Sequence, residues 1–220
     1  IDAALDRGVK KVVALSTDKA VNPINLYGGT KLVSDKLFVA ANSYSGTYGT
    51  RFSIVRYGNV AESKGAVIPF FDSLVKNGEN ELPVTDTRMT RFWITLEQGV
   101  ELVFKAIAES KGGETYISKI PSFKITELAN AMLPGAIINE IGIREGEKLD
   151  EIMITKDDSR LTYEYDKHYI IYPNYVWADV NNFLLPGGHP VVDGFEYNSG
   201  TNKEWLDAIQ LQKELKKLLL

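Results

Sequence analysis

The stretch VVALSTDKAVNPINLYGGTK, residues 12–31, decides how the rest of the chain is read. It opens on a β-branched apolar run, and residues 12–16 have the length and composition of a short buried strand. Asn22 and Pro23 then have the order of a helix start, an N-cap followed by a proline whose fixed φ suits the first turn. Helical character continues through NLYGGTKLVSDKLFVAAN, and RFSIVRYGN at 51–59 alternates as a second strand. Strand, helix, strand in this order specifies an α/β fold with a parallel sheet. Upstream, Gly8 falls where the C-cap of a preceding helix belongs.

Beyond Asn59 the texture changes. GAVIPFFDSLVKNGE reads as a short helix, and LPVTDTRMTRFWIT as a strand and an arginine-bearing loop. In TLEQGVELVFKAIAES, Thr95 and Gln98 have capping-box spacing, and Leu96, Val100, Val103, Phe104 and Ile107 fall on one helix face. ETYIS and INEIGIR read as strands, KITELANAML and GEKLDEIM as helices, and LQKELKKLLL as an amphipathic docking helix. No long linker interrupts the 220 residues, so a second domain must be interleaved with the first.

Composition excludes several function classes. Charged residues make up 25% and hydrophobic residues 44%, which is globular rather than disordered or fibrous. A net charge of -4 argues against a general nucleic-acid or anionic-membrane binder, so neither partner is expected. The absence of cysteine rules out disulfides, thiolate metal sites and a cysteine nucleophile. The histidines His168 and His189 lack metal-like spacing and read as structural or solvated, so no metal is expected. No apolar run approaches the roughly 20 residues of a membrane span. The sequence opens at Ile1 and reads as a chain entered midway.

The chemistry concentrates in the opening stretch. Tyr27 and Lys31 stand four apart, which puts a phenol and an ammonium on one helix face. A cation held beside a phenol favours the phenolate, so such a pair can exchange a proton with a substrate alcohol. Gly28 and Gly29 each cost a helix about 1 kcal/mol relative to Ala, which signals a close approach to the backbone. Taken alone this spacing is weak, because Tyr and Lys are common on any amphipathic helix. It is not alone: Ser16-Thr17 ends the strand about ten residues earlier.

That combination resembles the Ser/Thr, Tyr, Lys triad of the short-chain dehydrogenase/reductase superfamily, whose Rossmann fold binds NAD(P). Within it, STDKAVNPINLYGGTK, RYGNV, TDTRMTRFWIT, GEKLDEIMI and YNSGTNKEWL are similar to the inverting UDP-N-acetylglucosamine 4,6-dehydratases, in the same order along nearly the whole chain. The resemblance implies the C-terminal part of a Rossmann-type parallel sheet with an interleaved smaller α/β substrate domain. It assigns residues 1–60 to the NADP-binding domain and 61–220 mainly to UDP-sugar binding, with a segment around 80–110 returning to the first. The family's glycine-rich G-x-x-G-x-x-G turn has no match here, so roughly the first third is expected to be absent and this chain alone to be inactive.

The resemblance also implies roles. Family chemistry oxidises carbon 4, eliminates water across carbons 5 and 6, and returns the hydride to carbon 6, with NADP, or NAD, as carrier. Tyr27 would take the carbon 4 hydroxyl proton, Lys31 would bind the nicotinamide ribose, and Thr17 would hold the carbon 4 oxygen. Lys19 would abstract the carbon 5 proton and Asp18 would protonate the departing hydroxyl. Asn59 would contact substrate and Val60 the cofactor. Val67, Ile68, Pro69, Phe70 and Phe71 would line the uracil and sugar pocket, although the same residues make an equally good core. Arg88, Arg91 and Arg144 are candidates for the diphosphate, since guanidinium groups bind phosphate oxygens bidentately, and Glu147 for a sugar or ribose hydroxyl. In GEKLDE, Asp150 stands where many relatives carry His.

The intact enzyme would be cytoplasmic and a homo-oligomer, feeding pseudaminic acid or related surface sugars. The nearest alternatives are a UDP-sugar 4-epimerase or a retaining dehydratase of the same fold. Asp18-Lys19 argues against the first, and Tyr27 against retaining relatives with Met there. A catalytically inactive sugar-nucleotide binding fragment is the alternative of another class.

Overall fold

A computed structural model describes residues 1–46, 49–61, 66–174 and 184–218. In chain order it contains α1 (Asp2–Asp6), β1 (Lys11–Thr17), α2 (Leu26–Tyr44), β2 (Arg51–Tyr57), α3 (Val67–Lys76), β3 (Glu81–Val84), β4 (Thr90–Phe92) and α4 (Leu96–Glu109). Then come β5 (Thr115–Ser118), β6 (Ser122–Lys124), α5 (Ile125–Met132), β7 (Ile137–Glu140), β8 (Ile152–Ile154), β9 (Thr162–Glu164), β10 (His168–Ile171), β11 (His189–Pro190), β12 (Tyr197–Asn198) and α6 (Ala208–Leu218). Among the described residues no helix is long and apolar enough to cross a membrane.

The chain divides into two compact units. The first comprises Ile1–Tyr57, Glu97–Lys119 and Ile152–Tyr197, and the second Gly58–Leu96, Ile120–Glu151 and Asn198–Leu220. After the chain first leaves unit 1 it re-enters it at Glu97–Lys119 and again at Ile152–Tyr197.

Unit 1 is built on a six-stranded sheet in the order β1-β2-β5-β10-β9-β11. β1, β2 and β5 are parallel, whereas β10, β9 and β11 extend the sheet antiparallel. The fold class is therefore α/β with a parallel Rossmann-type core, and the antiparallel extension is an addition to the sequence reading. Strand alternation puts Phe52 and Val55 on opposite faces. Phe52 packs with Leu5 and Ala41, backed by Val12 and Phe38, so α1 and α2 cover one face. Val55 packs with Leu102 and Ala106 of α4 and with Tyr116, Ile170 and Tyr172. β1 ends the sheet order, and Leu15 is 52% exposed, so β1 is a half-covered strand rather than the buried one expected.

Helix α4 starts directly after Thr95, but it buries a different stripe from the one sequence favours. Gly99, Leu102 and Ala106 are buried, while Leu96, Val100, Phe104 and Ile107 are exposed. Small side chains let the helix approach the sheet closely, with the Gly99 Cβ position 4.0 Å from the Tyr57 ring. The Lys11 ammonium fixes that orientation by donating to the C-terminal carbonyls of Ile107 (2.6 Å) and Ala108 (3.1 Å).

Unit 2 has its own core of Ile68, Phe71, Leu82, Val84, Met89, Trp93, Phe123, Leu128, Leu211 and Leu215, among others. β3 pairs with β7 in parallel and β4 with β6 antiparallel. Leu211 and Leu215 place α6 against this core, as its amphipathic pattern implies. GEKLDEIM is not a helix. Residues 145–146 are turn and 149–150 bend, and β8 follows. The cause lies outside the segment: the Thr90 amide donates to the Leu149 carbonyl, the Thr90 hydroxyl to Asp150 Oδ1 (2.6 Å), and the Ser199 amide to the Glu151 carbonyl. Two of these bonds occupy backbone carbonyls, of Leu149 and Glu151, and the third holds the Asp150 side chain.

Candidate active site

The C-terminal end of β1 runs into a single 3₁₀ turn, Asp18–Ala20, and then into α2. Thr17 is the N-cap of that turn, and its hydroxyl donates to Asp18 Oδ1 at 2.6 Å. The Lys19 ammonium meets the same oxygen at 3.1 Å. Asp18 is 1% exposed, whereas the Lys19 side chain keeps about a third of its surface, 31%, in solvent. Sequence neighbours therefore become a hydroxyl, a buried carboxylate and an accessible amine on one oxygen.

The helix start differs from the sequence reading. Asn25, not Asn22, is the N-cap of α2, its Oδ1 accepting from the Gly28 amide at 2.8 Å. Asn22 has φ 43°, a left-handed conformation that Asn tolerates better than most residues. Preceding Pro23, it is also barred from the helical region. Of the two glycines, only Gly28 meets a close approach: a Cβ there would strike the Lys19 carbonyl and the Pro23 ring, while Gly29 faces open space. What closes on Gly28 is the protein's own 3₁₀ turn at Asp18–Ala20 and the Pro23 that follows it. Tyr27, one residue earlier, is 56% exposed, and the Lys31 ammonium donates to the Leu15 carbonyl of β1 at 3.2 Å.

Behind these residues lies a buried polar group that the sequence reading passed over. Asp35 Oδ2 accepts from the Ser16 hydroxyl at 2.7 Å and from Arg56 Nη2 at 3.3 Å, and Arg56 Nη1 donates to the Met153 carbonyl at 2.7 Å. The available signals were a carboxylate four residues beyond Lys31 and an arginine inside the apolar strand SIVRYG.

The candidate substrate residues lie in unit 2. Asn59 is exposed, and Val60 forms a parallel bridge with Ile94. The VIPFF stretch divides: Ile68 (9% exposed) and Phe71 (1%) are core, Val67 is half-buried, and Pro69 and Phe70 face outward. Arg88 is forked onto Asp86, with Nε at 2.9 Å and Nη2 at 2.7 Å, and these side-chain bonds hold the Asp86 carboxyl at about 2. Arg91 is held by the Thr90 and Leu149 carbonyls (2.7 and 3.0 Å) and lies 3.6 Å from buried Glu151. Arg144 and Glu147 close one exposed turn reciprocally, amide to carboxylate and amide to carbonyl. The structure thus brings Arg144 and Glu147 together, gives Arg91 a rigid seat, and turns Arg88 toward its own neighbour. Among the described residues no cluster of His, Asp and Glu could hold a metal ion.

The chain is 55% identical over 216 residues to a Campylobacter jejuni protein named UDP-N-acetylglucosamine 4,6-dehydratase (inverting), covering 96% of this chain and 65% of that one. It therefore spans just under two thirds of this relative. The structure of Pen from Bacillus thuringiensis superposes with a TM-score of 0.83 at 32% identity, over 98% of this chain and 65% of that one. DesIV, a dTDP-glucose 4,6-dehydratase from Streptomyces venezuelae solved with NAD and TYD bound, shares the fold at TM-score 0.58 and 23% identity, over 67% of this chain and 52% of that one. A family described as polysaccharide biosynthesis protein matches residues 1–173, the whole stretch from β1 through β10, and the chain belongs to that family.

Proposed function

We propose that the protein containing this chain is an inverting 4,6-dehydratase of UDP-N-acetylglucosamine, and that this chain carries its acid–base residues. The observation that carries the reading is the arrangement of Thr17, Asp18 and Lys19 on one buried oxygen at the mouth of α2. Oxidising an alcohol needs one proton acceptor, which Tyr27 beside Lys31 can supply. Eliminating water needs a second acid and a second base. Moving one proton from the Lys19 ammonium to Asp18 across their 3.1 Å contact creates both at once: a neutral amine for the carbon 5 proton and a carboxylic acid for the departing hydroxyl. Thr17 would steady the carbon 4 oxygen.

A nicotinamide cofactor, NADP or NAD, supplies hydride acceptance and return when bound. The residues present fit one end of it, since the Tyr27 phenol is open and Lys31 is fixed beside the end of β1. Tyr27 and Lys31 would hold the nicotinamide ribose, with Val60 close to the cofactor. Asn59, Val67, Pro69, Phe70, Arg88, Arg91, Arg144 and Glu147 are the proposed substrate contacts. Ile68 and Phe71 would support that surface from the core. The intact enzyme is proposed to be a cytoplasmic homo-oligomer.

The test uses the full-length protein with UDP-N-acetylglucosamine in deuterated water, followed by NMR. A 4-keto-6-deoxy product with deuterium and inverted configuration at carbon 5 is expected. Lys19→Ala should lower kcat by about 10²–10⁴-fold, the usual scale of a lost general base. A 4-epimer without deuterium at carbon 5 would show the epimerase chemistry instead. Absence of any turnover would leave only sugar-nucleotide binding.

A further inference from the structure

We propose that Ser16, Asp35 and Arg56 are positioning residues, a buried polar clamp that sets where α2 presents Tyr27 and Lys31 relative to Thr17. All three belong to unit 1 and are nearly closed to solvent, at 3%, 4% and 8% exposure. In the parallel ladder Ser16 pairs with Arg56 and Thr17 with Tyr57, so the clamp lies one rung below the catalytic threonine. Asp35 receives both Ser16 and Arg56 on Oδ2, and Arg56 is itself anchored to the Met153 carbonyl of β8. On α2, Asp35 stands four residues after Lys31 and eight after Tyr27, which at ~1.5 Å rise per residue is roughly 6 and 12 Å along the axis. With the Lys31–Leu15 contact, α2 is tied to β1 at two successive turns. Any slide or rotation of the helix that moves Tyr27 must break these bonds.

Stability alone does not account for the clamp. Well-packed apolar residues commonly replace a buried ion pair at no loss of stability. Arg56 Nε is buried with no hydrogen-bond partner among the described residues, a penalty an apolar core would not carry. Directional bonds do what apolar packing does not: they hold one helix register. A misplacement of about 1 Å at reacting groups can cost 10²-fold in rate.

The role rests on the function proposed above, so the experiment is built to separate the two. In the full-length enzyme, Ser16→Ala, Asp35→Asn and the apolar pair Asp35→Leu/Arg56→Met are compared with the unsubstituted protein. The apolar pair should unfold within a few degrees of it, yet lose at least 10-fold in kcat with less than a 2-fold change in KM. Ser16→Ala should lose about 3–10-fold in kcat. Asp35→Glu, which restores the carboxylate, should recover activity relative to Asp35→Asn. Folded variants that retain kcat within 2-fold would overturn the proposal. If the unsubstituted enzyme does not turn over UDP-N-acetylglucosamine, the functional reading fails. The clamp is then judged on the NMR resonance of the Tyr27 ring carbon bearing the hydroxyl, assigned with Tyr27→Phe. A shift of that resonance in Ser16→Ala supports positioning, and an unchanged one overturns it.

Discussion

His168 makes unit 1 sensitive to acid. The ring is 6% exposed and stacked between Tyr165, 4.8 Å away at 9°, and Tyr116, 6.2 Å away at 14°. Desolvation, with Lys105 and Lys119 nearby, pushes its pKa down to about 4, while Glu109 and Asp166 pull weakly the other way. An unfolded histidine titrates near 6.5, so above that pH neither state is protonated and the group has no effect on stability. As pH falls through 6.5 the unfolded chain takes up a proton that the folded one refuses, and stability declines until about pH 4. By pH 5, about 1.5 pH units below the unfolded pKa, the loss relative to pH 7.5 is about 2 kcal/mol as an upper limit. Relaxation of the site reduces that to ~1–2 kcal/mol. The assay is urea unfolding of the full-length protein at half-unit pH steps, with His168→Phe as the control that keeps a ring in the stack. Glu114, whose carboxyl burial pushes up, contributes with the opposite sign, and it is common to both proteins. The unsubstituted protein should lose stability toward pH 5 relative to His168→Phe. Parallel curves would refute the reasoning.

Four further outcomes follow from packing. Gly29→Ala should raise stability by about 0.5–1 kcal/mol, because its Cβ meets nothing and helical glycine is costly. Gly28→Ala should instead lower both stability and kcat by displacing the Lys19 carbonyl, measured by thermal unfolding and turnover. Phe71→Ala, removing a ring 1% exposed, should cost about 3–5 kcal/mol in urea unfolding. Phe70→Ala, 44% exposed, should leave stability nearly unchanged and raise KM for the sugar nucleotide.

Much of unit 1 was legible because its signals are local. The apolar run of β1, the helix that follows it, and the Thr17, Asp18, Lys19, Tyr27, Lys31 spacing all lie within one short stretch, although the cap of α2 is Asn25 and not Asn22. What was misread depends on distant partners. The apolar stripe of α4 reads as a buried face, but Gly99 and Ala106 and the Lys11 ammonium turn the opposite side to the sheet. GEKLDEIM has helical composition, yet Thr90 and Ser199 claim its backbone and side chains from 60 and 48 residues away. Asp35 and Arg56 show the same limit at the site. Each looks like an ordinary charge until the parallel register sets Ser16 opposite Arg56.

The way the chain alternates between its two units governs the order in which a ribosome can finish them. The polypeptide changes unit after Tyr57, Leu96, Lys119, Glu151 and Tyr197. Once Lys119 has emerged, β1, β2 and β5 can pair, but Val55 and Tyr116 still lack Ile170 and Tyr172. Unit 2 waits longer, because Leu211 and Leu215 close its core over Leu128. Neither unit is complete before most of the other has been made. A single cut anywhere in the middle of this chain therefore strips packing partners from both, and the Asp18–Ala20 turn cannot be isolated as part of a free-standing module.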